Sequence, residues 1–189
     1  MQTIAQQLET IGVGGQIQFH DNKTAFIIGV MSFESLEKQE GGSSWRDRSD
    51  GTYKVIQLGD GQYLVLFPEK EGGLRKWFLM KAVNTDNISA FIKEHAQDFG
   101  EKGQGKKGQT YFKWGEEEYR MLDIGKQSWN ADGDGFLSDG SGESRHVLAV
   151  STTNPGQYFM VVDSVKGPGA DTLLIGTMIS PEDSIESIN

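Results

Sequence analysis

Cysteine is absent from this 189-residue chain, and its absence excludes several kinds of site at once. Without thiols the chain has no disulfide, no thiolate zinc site, no iron–sulfur cluster and no cysteine nucleophile. A chain without disulfides is compatible with a reducing compartment, and we expect a cytoplasmic protein. Proline is also scarce, with 4 residues against 25 glycines. Many glycines between short apolar runs favour a chain of hairpins.

Basic residues are few: 18 Lys and Arg stand against 27 Asp and Glu, which gives a net charge of −9. Because nucleic acids and anionic membranes are bound by Lys- and Arg-rich surfaces, we expect neither as a partner. Long apolar runs are missing as well, and none approaches the ~20 residues that cross a bilayer. The first residues show no basic segment followed by an apolar run, so no signal peptide is predicted. The sequence therefore predicts no membrane insertion.

Aromatic residues are plentiful, with 4 Trp, 5 Tyr and 10 Phe, and they argue for a folded core rather than disorder. Most apolar residues fall in short runs separated by Gly- and Asp-containing turns, the pattern of antiparallel hairpins. The fold class predicted from these features is mainly β with a minor helical part.

The most informative pattern is an internal repeat. The stretch GQYLVLF at 61–67 returns as GQYFMVV at 156–162, an offset of 156 − 61 = 95 residues. Likewise GQIQF at 15–19 is answered by GQTYF at 108–112, an offset of 108 − 15 = 93. Further apolar runs recur in the same order at similar offsets. We interpret the pattern as a tandem duplication of one small unit.

The duplication predicts two related antiparallel units, at 1–100 and 109–189, joined by a linker at 101–108 whose sequence is EKGQGKKG. Each unit is expected to be a bent sheet or partly open barrel of about five strands that ends in a helix. The helix of the first unit is predicted at 86–99. The helix of the second unit is short and begins at Pro181, with Ser180 as its N-cap.

A calcium-loop pattern lies in the second half. Asn130, Asp132 and Asp134 occupy positions 1, 3 and 5 of an EF-hand-type loop, and the Phe136 carbonyl occupies position 7. Position 12 should be a bidentate glutamate, and it is Ser141. Two interpretations stay open, a calcium site or an Asp-Gly connection between strands. No other cofactor or metal is predicted.

Two tryptophans are candidate binding residues. Trp45 and Trp129 lie in or beside two polar segments, 34–50 and 130–144, which we predict to be long loops. A tryptophan in a loop is often an anchor for a protein partner, although either ring could instead cover the core of its own unit. No catalytic residue is assigned, because the three histidines lack metal-binding spacing and no GxSxG motif is present.

The order of these motifs resembles a bacterial β-rich domain family of unknown function whose members occur singly or in tandem. The resemblance covers mostly the second half. It is carried by Tyr111-Phe112, Glu118-Tyr119, Trp129, Gly156-Gln157-Tyr158 and the segment from Gly176 to Pro181. It implies a small β domain of bacterial origin and supplies no catalytic residues.

The sequence assigns no biochemical activity. Its composition and motifs favour a non-catalytic interaction or scaffold module that binds a protein partner. Two alternatives stay open: a calcium-dependent module that uses the 130–141 loop, and a hydrolase with dispersed carboxylates.

Overall fold

The structure is a computed structural model that describes residues 2–38, 45–67, 76–83, 111–136 and 140–189. These residues form two short helices, α1 (Ile4–Thr10) and α2 (Pro181–Ser184), and eleven strands. The strands are β1 (Gln16–Phe19), β2 (Thr24–Lys38), β3 (Trp45–Leu58), β4 (Gln62–Phe67), β5 (Lys76–Ala82), β6 (Tyr111–Trp114), β7 (Glu117–Gly133), β8 (Gly140–Ser151), β9 (Gln157–Lys166), β10 (Thr172–Ile179) and β11 (Ile185–Ile188). The prediction of a mainly β fold is confirmed.

Eight of the strands close into one antiparallel barrel. Strands β2 to β5 form one meander and β7 to β10 form another. The meanders join at two seams, β5 against β10 and β2 against β7. Closure gives every barrel strand two neighbours, which satisfies the backbone groups that an open sheet would leave at its edges. The sequence predicted a separate bent sheet or partly open barrel for each half, whereas the two halves contribute four strands each to a single barrel.

Three strands and both helices lie outside the barrel. β1 pairs with the start of β2 and with β11, and β6 pairs with the start of β7. Helix α2 has a single turn, Ser180 makes no side-chain cap bond, and the chain continues into β11 rather than ending in a helix. The strand is favoured there because the buried Ile185 pairs with Phe19 of β1. The predicted helix at 86–99 and the linker at 101–108 lie outside the described residues.

The segments predicted as long loops are largely strand. β2 continues to Lys38 and β3 begins at Trp45, while β7 continues to Gly133 and β8 begins at Gly140. Their polar composition suggested loops, but pairing of β2 with β3 and β7 satisfies the backbone hydrogen bonds whatever the side chains are. Residues 39–44 and 137–139 lie outside the described part of the chain.

Side chains from all eight barrel strands fill the interior. As in other small barrels, residues along each strand alternate between the interior and the outer face. The buried interior residues are Met31, Phe33, Tyr53, Val55, Tyr63, Val65, Phe67, Phe78, Met80, Trp129, Leu148, Met160, Val162 and Leu174. The barrel interior is therefore mainly apolar and rich in aromatic side chains.

The outer face of the first meander is covered by α1, β1 and β11. Leu8 of α1 and Ile17 of β1 are fully buried in this second core. Lys54 of β3 is also buried, and its Nζ donates to the carbonyl oxygens of Leu8 (3.2 Å), Glu9 (2.9 Å) and Ile11 (2.9 Å). A cation at the C-terminal end of a helix stabilises the free carbonyl groups, so Lys54 fixes α1 to the barrel wall.

The two halves share a structural irregularity. β2 has a bulge between Ile27 and Gly29 where it pairs with β3, and β7 has one between Met121 and Asp123 where it pairs with β8. The two bulges are separated by 121 − 27 = 94 residues. A bulge bends its strand and changes which side chains point inward beyond it. Both halves thus have the same strand order and share this bulge, whereas a second bulge of β2, between Glu34 and Leu36, has no counterpart in the β7–β8 pairing.

Candidate functional site

A groove of about 470 Å³ lies at one rim of the barrel, where β9 begins and β10 ends. Its described lining comes from two segments: Asn154, Pro155, Gly156, Gln157 and Tyr158, and Ile175, Gly176, Thr177 and Met178. None of these residues is charged, although the whole chain has a net charge of −9. Met178 is 50% exposed, so the groove presents a flexible apolar side chain to solvent.

Hydrogen bonds fix the turn that forms one wall of the groove. The Ser151 hydroxyl accepts from the backbone N–H of Asn154 (2.8 Å) and of Thr153 (3.2 Å), and it donates to the Glu117 carboxylate (2.9 Å). The Thr153 hydroxyl donates to the same carboxylate. The hydrogen bonds from Thr153 and Ser151 lower the pKa of Glu117. The β8–β9 turn is therefore attached to the start of β7.

Two amide side chains continue this network toward the core. The Asn154 amide donates to Gln157 Oε1 (2.8 Å), and Gln157 Nε2 donates to the Tyr119 hydroxyl oxygen (2.8 Å). Burial raises the pKa of Tyr119, and the hydrogen bond from Gln157 opposes that shift. Because these groups bond one another in the free protein, the wall is ordered before any ligand arrives.

The floor of the groove depends on a glycine at the β5–β10 seam. A Cβ atom on Gly176 would lie 2.1 Å from the Leu79 carbonyl oxygen, so no larger residue fits without displacing β5. Beside it, the Tyr158 ring packs on Phe78 with ring centroids 4.7 Å apart. Gly176 and Tyr158, which both line the groove, are thus held against β5 by this close approach and this aromatic pair.

The two tryptophans predicted as loop anchors occupy different places. Trp129 lies inside the barrel, 1% exposed and directly opposite Phe33 across the β2–β7 seam. Its indole covers Gly142, where a Cβ would lie 2.7 Å from Cζ2. It is therefore a core residue rather than a surface anchor, because strand alternation turns its side chain inward. Trp45 is the first residue of β3 and pairs with Lys38, and its side chain lies outside what the structure describes.

The residues of the predicted calcium loop are spread along a strand and the turn that follows it. Asn130 and Asp132 are exposed residues of β7, Asp134 follows the strand, and the partly buried Phe136 packs against the barrel core. A strand directs alternate side chains to one face, whereas an EF-hand loop wraps its ligands around one point. Among the described residues, no group of three or more His, Asp or Glu side chains could hold a metal ion.

A polar cluster that the sequence did not reveal lies inside the barrel. Gln127 Nε2 donates to Ser144 Oγ at 2.7 Å, and both side chains are fully buried. His146 lies on the same face of β8 as Ser144, and its ring contacts Tyr53 and Phe67 at centroid distances of 5.4 and 5.5 Å. Strand alternation could have indicated this cluster in the sequence, because residues two positions from an inward-facing residue also point inward. Gln127 and Ser144 thus bond each other inside the barrel, and His146 packs beside them against aromatic rings.

A hydrolase with carboxylate groups would need two of them close together, and Asp163 and Asp171 are such a pair. Arg145 Nε donates to Asp163 at 2.8 Å, and the neighbouring Asp171 accepts the backbone N–H of Ser164 at 3.0 Å. Burial raises the pKa of Asp171, and the negative charge of Asp163 adds to the shift. Arg145 forms an ion pair with Asp163. Asp171 is therefore the carboxyl group of this pair whose pKa is raised.

The chain matches no protein-family model, no curated protein and no solved structure. The resemblance to a bacterial β-rich family therefore rests on the motifs alone. Neither helix in the described ranges is long and apolar enough to span a membrane.

Proposed function

We propose that this chain is a non-catalytic interaction module that binds a short, uncharged segment of a partner protein in the rim groove. The observation that supports the proposal best is a groove of about 470 Å³ on an acidic protein, in which the described lining residues carry no charge and include the half-exposed Met178 and Tyr158. Ligand sites commonly have volumes of roughly 300–1,000 Å³. Methionine adapts its shape to different apolar partners, and tyrosine is a frequent hot-spot residue of protein interfaces.

The position of the groove also supports the proposal. It lies at the barrel rim, where a partner segment can reach Met178, which is 50% exposed.

The hydrogen bonds of the groove wall also support the proposal. Ser151 and Gln157 attach the β8–β9 turn to Glu117 and Tyr119. A wall that is ordered before binding loses little conformational entropy when a partner segment docks. Such preorganisation favours the binding of short segments, which make few contacts.

Selection of peptides from a displayed random library tests the proposed site. The wild type is compared with Met178→Lys, which places a charge in the groove. Val165→Lys is the matched control, because Val165 is also 50% exposed and lies at the other end of β9. We expect the wild type and Val165→Lys to enrich the same uncharged apolar peptides and Met178→Lys to lose them. Equal enrichment by Met178→Lys, or no enrichment by the wild type, would contradict the proposal.

We also propose that the chain arose by tandem duplication, with boundaries near 1–100 and 109–189. The common strand order and the bulges 94 residues apart support it. A bacterial source and a cytoplasmic location stay predictions from the sequence.

Calcium binding by Asn130, Asp132, Asp134 and Phe136 stays an alternative prediction, as does hydrolysis. The extended conformation of β7 does not favour the calcium loop. A rise in melting temperature in millimolar calcium would support it.

A further inference from the structure

Two polar side-chain atoms inside the barrel lack the hydrogen bond that burial demands. One is the acceptor Gln127 Oε1 and the other is the donor Trp129 Nε1, and neither has a partner among the described residues. Both side chains are almost completely removed from solvent. Since buried polar groups of native proteins are nearly always hydrogen-bonded to protein, to a ligand or to ordered water, this pair indicates a binding site.

The two atoms lie within reach of one small molecule. Gln127 and Trp129 are two positions apart on β7, so the strand directs both side chains to the same face, and their Cα atoms are roughly 6.5 Å apart. Two hydrogen bonds of about 2.9 Å that meet at one oxygen atom span up to about 5.8 Å. A single hydroxyl group can therefore bridge the pair.

Neighbouring groups hold both side chains in place. The Gln127 amide is fixed by its bond from Nε2 to Ser144 Oγ at 2.7 Å. The Trp129 indole lies against two glycine backbones: a Cβ on Gly142 would lie 2.8 Å from Cε2, the atom that carries Nε1, and a Cβ on Gly167 would lie 2.9 Å from Cζ2. The unpartnered donor and acceptor thus belong to side chains with fixed positions.

We propose that the barrel interior binds one small neutral molecule through a hydroxyl group, which accepts from Trp129 Nε1 and donates to Gln127 Oε1. A cation would bind only the amide oxygen, and an anion would bind only the indole N–H. The described residues of the interior include no Asp, Glu, Lys or Arg that could balance an ion, and an unpaired buried charge is costly. Water and a small alcohol share the required chemistry. The site is separate from the rim groove, whose described lining includes neither residue.

NMR of the indole N–H groups tests the site in the wild-type protein. The chain contains 4 tryptophans, and either Trp129→Phe or NOE contacts with the ring of Phe33 assign the Trp129 signal. We expect a direct dipolar cross-peak between the Trp129 indole proton and the water resonance, with the rotating-frame sign of a held molecule rather than of proton exchange.

Two variants show whether the molecule is bridged. Gln127→Met removes the acceptor and should abolish the cross-peak. Gln18→Met makes the same exchange on β1, outside the barrel, and should keep it. If Gln127→Met does not fold, the wild-type spectrum decides alone.

Native mass spectrometry distinguishes the two sources of the hydroxyl group. A neutral 1:1 adduct on the wild type that is absent from Gln127→Met identifies a small alcohol, and its protons then replace water in the contact with Trp129. A metal or anion adduct that depends on Gln127 would contradict the proposal. So would an indole proton in contact with neither water nor an adduct, or a cross-peak that persists in folded Gln127→Met.

Discussion

Asp171 is a carboxyl group whose surroundings oppose its ionisation. Burial raises its pKa above the ordinary value of 3.8, and the negative charge of Asp163 adds to the shift, while Arg145 opposes it. The folded state therefore binds its proton more tightly than the unfolded state does. As the pH rises through the range above 3.8, ionisation of Asp171 costs the folded protein stability.

Asp171→Asn should therefore raise the free energy of unfolding at neutral pH. The amide oxygen can still accept the Ser164 N–H, and it carries no charge. The advantage over the wild type should shrink as the pH falls below 3.8, where both states of the wild type are protonated. Urea unfolding at several pH values measures the difference.

Asp21→Asn is the matched control, and it should lower the free energy of unfolding at neutral pH. The hydrogen bond and ion pair with Lys23, at 2.7 Å, lower the pKa of Asp21. Its ionised form therefore favours folding at neutral pH, and this contribution is lost as the pH falls through the lowered pKa. If Asp171→Asn left the free energy of unfolding unchanged or lowered it as Asp21→Asn does, the assigned environment of Asp171 would be wrong.

The β5–β10 seam shows how one residue allows two strands to close the barrel. A Cβ on Gly176 would meet the Leu79 carbonyl oxygen at 2.1 Å. Gly176→Ala should therefore lower the free energy of unfolding by about 1–3 kcal/mol, the usual cost of overpacking. Gly12→Ala is the control, since nothing lies within 4 Å of its Cβ position, and it should stay within about 0.5 kcal/mol of the wild type. Urea denaturation compares the two variants, and equal effects would contradict the close approach at the seam.

The individual strands could largely be predicted from the sequence, but their lengths and inward faces could not. Alternating apolar residues and the turn at Gly59-Asp60-Gly61 locate β4 and the end of β3, whereas β3 begins at Trp45, in a segment that was predicted as a loop. The ends of β2 and β7 are polar, and the sequence contains no local signal that they pair with each other. The bulges at 27–29 and 121–123 shift the alternation, so simple counting along the strand does not tell which side chains point inward.

The candidate site was harder to predict than the strands. Trp129 lies beside a polar segment of the sequence, which suggested a surface anchor, yet its side chain is buried in the barrel. The groove brings together residues 154–158 and 175–178, which meet only because β9 pairs with β10. The repeated GQY stretch contains Tyr158, but the motif does not indicate that this tyrosine lines a groove.

The closed barrel makes each half depend on the other. Both seams join a strand from the first half to one from the second, and Phe33 and Trp129 face each other across one of them. A polypeptide of residues 109–189 alone should therefore be largely unfolded as a monomer. Mixing it with residues 1–108 should restore β structure, measured by circular dichroism and gel filtration. A stable folded monomer of the second half would contradict this dependence and favour two separate domains.

Photo-crosslinking shows whether a partner peptide binds in the rim groove. A peptide enriched by the wild type is made with p-benzoylphenylalanine in place of its aromatic or largest apolar residue, irradiated with the protein, and mapped by mass spectrometry. We expect crosslinks within 154–158 and 175–178, with Met178 as the main site, and we expect them to be lost in Met178→Lys but not in Val165→Lys. Crosslinks concentrated elsewhere on the barrel, and unaffected by Met178→Lys, would contradict it.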